Sequence, residues 1–573
     1  MKAEQFARLY TAAGEDLARA GRDAAPWQDY PRPCLVRDSY LSLNGTWSFS
    51  ANGGPEEEIL VPFPPESLLS GIGRDMGPRP RLCYTRRFTL PADFLRDRII
   101  LHFGAVDQVA RVSLNGIFLG EHRGGYTPFS FDITPYLATE NLLTVEVTDT
   151  TVDFTLPYGK QSGKRGGMWY TPVSGIWQTV WLESVPEVYV RALTAETHET
   201  GAIIRAEGVS EGEVTVITPE GEITLPLQNG EAAVALPCPR HWCPEDPYLY
   251  RFTLRAGEDR VESYFALRTL TVETVDGIPR LCLNHKPYFF HGLLDQGYFS
   301  DGLFLPASPD GYTEDILAAR ALGFNTLRKH IKIEPQRFYY DCDRLGMIVF
   351  QDMINNGRYS FFRDTALPTV GLKRRNDRRL HRDPAARAAF LSSLEETVAL
   401  LRHHPSVCYW TIFNEGWGQF CADDACRRLR ALDSTRFIDT ASGWFTPTES
   451  DVESLHVYFK PFKMPKAPTR PVVLSEFGGY ACGVKGHIFN LKKTYGYRIF
   501  DTVEELEKAV RTLYEEEIFP AIPRGLCGAI YTQLSDVEDE TNGLLTYDRR
   551  ITKIGPIPLL STNLPKGDPP CGT

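Results

Sequence analysis

Val407-Cys408-Tyr409-Trp410-Thr411-Ile412-Phe413-Asn414-Glu415 is a near-continuous apolar run that stops abruptly at an amide and a carboxylate. Val472-Val473-Leu474-Ser475-Glu476 has the same texture 61 positions beyond. A strand covered on both faces reads this way, because neither side of it meets water. Working outward, six more short β runs fall at 288–291, 325–328, 347–351, 437–440, 454–458 and 528–533. Helical stretches lie between several of them, at 312–322, 335–345, 384–402 and 423–432. Eight strands with helical or long connections over residues 272–564 predict a (β/α)₈ (TIM) barrel, in which chemistry sits at the C-terminal strand ends.

Upstream the texture changes twice. Residues 30–186 hold short alternating segments, such as 98–103, 110–114 and 142–147, and Asn115-Gly116 signals a tight hairpin. This predicts a β-sandwich. Residues 187–271 form a smaller β region with Gly, Pro and Asn between its runs, which suits a seven-stranded sandwich. Residues 1–29 read as an N-terminal helical segment and 565–573 as a Pro- and Gly-rich tail.

Bulk properties narrow the function. The chain has 573 residues, 42% of them hydrophobic, and a net charge of −11. That balance gives no electrostatic reason to bind nucleic acid or an anionic membrane. Two basic patches, Lys373-Arg374-Arg375 and Arg378-Arg379, read as solvated loop. No run approaches the ~20 apolar residues of a membrane span, and residues 1–22 lack the apolar core of a secretion signal. A cytoplasmic protein is expected. The twelve cysteines have no framework spacing. Cys238/Cys243, with His241 between them, and Cys421/Cys426 fall in different predicted regions, so free thiols and no metal or cofactor are expected.

Glu415 and Glu476 end strands four and seven, so the barrel turns both into one pocket. Cleavage of a glycoside with retention needs such a pair about 5–5.5 Å apart, one carboxyl giving a proton while the other attacks the anomeric carbon. Burial and mutual repulsion can separate their two pKa values. Further strand ends supply sugar-binding candidates: Arg328 and His330, Asp352, Asn414, Trp444, His456 and Tyr458, and Tyr531 and Gln533. Arg328 near Glu476 would keep it ionised, and Tyr458 could donate a hydrogen bond to it.

Ile412-Phe413-Asn414-Glu415-Gly416 and Leu474-Ser475-Glu476-Phe477-Gly478 resemble the acid/base and nucleophile motifs of glycoside hydrolase family 2. Tyr40–Trp47 and Tyr170–Gln178 resemble the family's sugar-binding jelly roll, and Trp242 with Pro244–Tyr250 its immunoglobulin-like middle domain. Residues 322–328 and 342–347 resemble its barrel segments two and three. The resemblance implies a multidomain chain of jelly roll, immunoglobulin-like sandwich and barrel. It implies a retaining exo-β-glycosidase with Glu415 as acid/base, Glu476 as nucleophile, Asn414 on the sugar 2-hydroxyl and Tyr458 supporting the nucleophile. The partner implied is a small glycoside, and a homo-oligomer is left open. The histidine of the family's Arg-x-Ser-His pattern stands one position early, at His330. The Asn-x-Lys by which family β-glucuronidases hold the sugar carboxylate is replaced by Glu540-Thr541-Asn542, without a lysine. On this ground a β-galactosidase-like enzyme is placed first and a β-glucuronidase or other uronide- or arabinoside-specific enzyme second. Asn490-Leu491-Lys492, with Lys485 and Arg498, is a second candidate for gripping a carboxylate. A retired carbohydrate-binding protein would show a damaged glutamate pair, and here both are present.

Overall fold

The computed structural model describes residues 5–369, 376–445 and 447–559. The tail 565–573 and the run Lys373-Arg374-Arg375 lie outside them, while Arg378 and Arg379 are exposed at the end of a short turn.

Alternating burial builds the first sandwich. Asn141–Thr148 buries every second residue, as does much of Gly45–Ala51, so each strand offers one face to the interior. A six-stranded sheet faces a four-stranded one across Trp47, Phe49, Tyr84, Leu101, Phe103, Val145 and Leu182. Asn115 and Gly116 both take positive φ, 53° and 80°, at the expected hairpin. The middle domain has seven strands from Ala192–His198 to Asp259–Phe265. Three of them meet the other four through the single pair Gln228↔Glu231, which folds the sheet over its own core as a sandwich.

The barrel strands are β1 (Phe290–Asp295), β2 (Thr326–Lys329), β3 (Ile348–Asp352), β4 (Val407–Asn414), β5 (Phe437–Ser442), β6 (Glu453–Val457), β7 (Val472–Gly478) and β8 (Leu526–Thr532). They pair in parallel in the order β5-β4-β3-β2-β1-β8-β7-β6. β5 and β6 close the ring through side chains, with Ser442 Oγ 3.3 Å from Ser454 Oγ. Among the described residues, the connections after β5 and β6 carry no helix, so the barrel is less regular than eight β/α repeats. The longest helix, Pro384–Leu401, starts as its sequence dictates: Asp383 accepts from Ala385 N at 2.9 Å, and proline occupies the first turn.

The lower end of the barrel is plugged. Leu281 and Leu283, on the strand Ile278–Leu283 that precedes β1, pack with Phe290, Phe350, Tyr409, Phe437 and Val473. Only the C-terminal end of the strands is left to receive a ligand. The N-terminal segment is no separate unit. Its helix Ala12–Ala20 is capped by Thr11, whose backbone N and Oγ1 both donate to Asp301 of the barrel domain at 2.8 and 2.7 Å, and Phe6 bridges to Asn490. The two sandwiches are locked by Arg37, which binds Glu183 at 2.9 Å and Asp259 at 2.9 Å in the interior.

Candidate active site

Glu415 and Glu476 converge. One oxygen of each, together with a ring nitrogen of His456, lies within 4.8 Å of the other two. This falls on the short side of the roughly 5–5.5 Å spacing for attack by one carboxylate and well short of the roughly 6.5–9.5 Å that a water-activating pair needs. Glu415 follows the last residue of β4 in a left-handed conformation, φ 53°, and Gly416 continues the turn at φ 70°. A Cβ on Gly416 would sit 2.2 Å from the Phe445 ring, so this turn requires glycine. Glu415 keeps 18% of its side chain exposed and Glu476 6%, which leaves Glu415 the more open to a leaving group and to water.

Glu476 is held in place. Its Oε1 accepts from Arg328 Nη1 at 3.1 Å and its Oε2 from Tyr458 OH at 2.5 Å. Burial alone would raise its pKa. The charges of His456, Arg328 and His330 and the Tyr458 hydrogen bond outweigh that and hold it well below the usual carboxylate range. Arg328 is a buried hub. It donates to Asp352 through Nε at 3.0 Å, to Ser475 O at 3.0 Å and to Asn414 Oδ1 at 2.8 Å. The last bond fixes the Asn414 amide with its Nδ2 free to donate to a sugar hydroxyl. His456 faces Glu415 Oε1 at 2.9 Å with Nδ1 and Ser442 Oγ at 2.9 Å with Nε2.

Other candidates hold different positions. Asp352 lies behind the site, its oxygens engaged by Arg328 and by His330 Nδ1 at 2.7 Å, so it orients both without facing a ligand. Burial lowers the His330 pKa, against the pull of Asp352 and Glu476. Trp444 is pinned by its Nε1 to Glu415 O at 3.0 Å and Asp364 O at 3.1 Å, and it fixes the β4 turn. Gln533 is buried between Gln296, Glu540 and Asn542. Tyr531 is a correction. It packs outward against Phe477 and Tyr514, in the layer between strands and helices. Its neighbour Thr532 faces the site instead, with Oγ1 3.1 Å from Tyr458 OH. The strand alternation of two decides this. Of the second set of candidates for a carboxylate, Asn490 is buried and donates to Asp539 at 2.8 Å, Lys485 and Lys492 are exposed, and Arg498 lies over Tyr480 and Phe500.

Sequence reasoning missed several groups here. Tyr497 stacks on Tyr458 with centroids 3.8 Å apart, and Ser442 supports His456. Trp417, just beyond the Glu415 turn, meets Trp169 from the first sandwich at 5.1 Å and Tyr359 at 6.2 Å, forming an aromatic wall. Glu415, His456 and Glu476 are the one set of groups among the described residues close enough to ligate a metal ion. Glu476, however, is already engaged on both oxygens.

The comparisons agree with this architecture. Residues 75–186 match the family model for the sugar binding domain of glycosyl hydrolases family 2, and residues 276–487 match that for its TIM barrel domain. The chain belongs to glycoside hydrolase family 2. A β-glucuronidase of Felis catus is 25% identical over 71% of this chain and 68% of its own length. A β-galactosidase of Thermoanaerobacter pseudethanolicus is 26% identical over 54% of this chain and 44% of its own length. Among solved structures, the β-D-glucuronidase of Dictyoglomus thermophilum shares the fold with a TM-score of 0.70 at 18% identity, over 91% of this chain and 96% of that one. A β-galacturonidase of Eisenbergiella tayi does so with a TM-score of 0.65 at 18% identity, over 92% and 96%.

Proposed function

We propose that this protein is a retaining exo-β-glycosidase that removes a terminal β-linked uronic acid, foremost β-glucuronate. The observation that carries the reaction type is the convergence of Glu415 and Glu476 with Arg328 and Tyr458 bound to Glu476. Ionised Glu476 attacks the anomeric carbon while Glu415 protonates the departing oxygen. Asn414 donates to the hydroxyl beside the reacting carbon. In the second half, Glu415 takes a proton from water as that water displaces Glu476, and configuration is retained.

The sugar is read from the relatives. Several of the similar curated proteins carry the name β-glucuronidase, and the β-galactosidase-first ordering drawn from the missing Asn-x-Lys gives way to them. The missing lysine shows only that one barrel loop does not hold the carboxylate.

Azide separates the two glutamates. Glu476→Ala loses turnover by at least about 10⁴-fold, and added azide restores a product of α configuration. Glu415→Ala keeps cleavage of activated aryl glycosides, and azide gives a β-configured product. Exchange of the two configurations reverses the roles. Retained turnover in Glu476→Ala removes the mechanism.

A further inference from the structure

If the sugar carries a carboxylate, something in the site must meet its charge. The buried basic groups named on the barrel are already committed. Lys329 is bound to Asp295 and Glu334, Lys332 to Glu334, and Lys553 to Asp536. Arg328 is divided between Asp352 and Glu476. Arg165, from the first sandwich, is paired with Glu538.

Lys160 is different. It lies in a loop of the first sandwich that is stitched onto the barrel. Tyr158 N and Gly159 N both donate to Asn355 O, at 3.1 and 3.3 Å. Gly159 has φ 66°, and a Cβ there would stand 2.9 Å from Ile331 O, so only glycine lets the loop reach the residue after His330. On the other side, Lys160 O accepts from Tyr170 N at 3.1 Å, and Gln161 donates to buried Asp107 at 2.8 Å. The backbone that presents Lys160 is therefore fixed from both domains.

Its ammonium makes no hydrogen bond or ion pair among the described residues; its aromatic neighbour is the Trp169 ring, 6.0 Å from Nζ. Its charge is felt by His330, beyond β2, and by Glu540, beyond β8. Those two bracket the β8-β1-β2 arc of the rim, whereas Glu415 and His456 belong to β4 and β6. Glu540 is not a full countercharge. It is turned to Tyr170 OH at 3.0 Å and Gln533 Nε2 at 2.8 Å, and burial pushes its pKa up to about 7. A cation without a hydrogen-bonded or ion-paired partner among the described residues is thus held on the His330 and Glu540 side of the barrel rim.

We infer that Lys160, carried into the site by the first sandwich, is the cation that recognises the carboxylate of the substrate's sugar. It rests on the uronide reading above. It also assigns a task to the first sandwich, which supplies a specificity residue that the barrel lacks. Lys160 sets which sugar is accepted and takes no part in the bond-breaking step.

The test is kcat/KM for 4-nitrophenyl β-D-glucuronide, β-D-galacturonide, β-D-glucoside and β-D-galactoside in wild type, Lys160→Gln and Lys160→Arg. Loss of one charged hydrogen bond predicts a fall of about 10- to 100-fold on uronides for Lys160→Gln, mostly in KM, and a much smaller change on neutral sugars. Lys160→Arg keeps the charge and recovers most of the loss. In the wild type, free D-glucuronate inhibits more strongly than D-glucose, and Lys160→Gln erases that difference. An equal fall on neutral and acidic substrates, or no fall on uronides, overturns the assignment. A wild type that cleaves neutral glycosides but no uronide overturns the uronide reading and this inference together. Uronide turnover that is indifferent to Lys160 overturns the inference alone.

Discussion

Glu476 is set up to stay ionised, and its partners say how. Arg328 and Tyr458 each hold one oxygen, and the fold depresses its pKa despite burial. A depressed carboxyl adds stability that is present above its unfolded value, near 4.3, and is lost as pH falls toward the folded value. Activity follows the same proton, because only the carboxylate attacks. The acid limb of kcat/KM should therefore lie below about pH 4 in the wild type. Removing one donor with Tyr458→Phe should move that limb upward by about one pH unit and lower kcat by about tenfold. A pH profile of kcat/KM for both proteins checks this, and an unmoved limb would detach Tyr458 from Glu476. At this scale the sequence was informative where chemistry follows a strand end. Glu415, Glu476, Arg328, Asn414 and Tyr458 were all found by that rule. Lys160 and Tyr497 were not, because their places depend on a loop from another domain and on the long connection between β7 and β8.

Elements carry the errors as well as the successes. Strand positions were legible because buried parallel strands are apolar throughout, and every predicted barrel run overlaps an observed strand. Which side chains face the pocket was not legible for the same reason: a uniformly apolar strand hides its own alternation. Tyr531 and Thr532 on β8 show the consequence, the aromatic residue facing the helices and the small hydroxyl facing Tyr458. Thr532→Val removes that hydroxyl while keeping its shape. It should lower kcat/KM about three- to tenfold, whereas Tyr531→Phe should change it less than twofold. Comparable losses from both variants would mean that the facing of β8 is wrong. That the described residues after β5 and β6 form no helix also escaped the sequence reading, which counted long connections without being able to say what filled them.

At the scale of the whole molecule, charged side chains are buried where the two sandwiches meet. Arg37 joins Glu183 and Asp259 with all three side chains nearly inaccessible. Arg37→Met leaves buried Asp259 without its cation, while Glu183 keeps Arg32 at 2.6 Å, and should destabilise the fold by about 3–5 kcal/mol, read as a lower midpoint in denaturant. A midpoint within error of the wild type would show that the sandwiches are held by packing alone. Domain order and class were legible in the sequence from changes in texture. The docking of one domain on another was not, since Arg37, Thr11 and Gly159 look like ordinary surface or loop residues until their partners hundreds of positions away are known.

Everything catalytic in this account turns on Glu476 becoming covalently bonded to the sugar. A 2-deoxy-2-fluoro-β-glucuronyl fluoride slows the release of that intermediate more than its formation, so the labelled protein can be digested and the modified peptide sequenced by mass spectrometry. The expected result is one added fluoroglycosyl group per chain, on Glu476, with activity lost in proportion. A label on Glu415 or elsewhere, or inversion of configuration at the released sugar with no label at all, would contradict it.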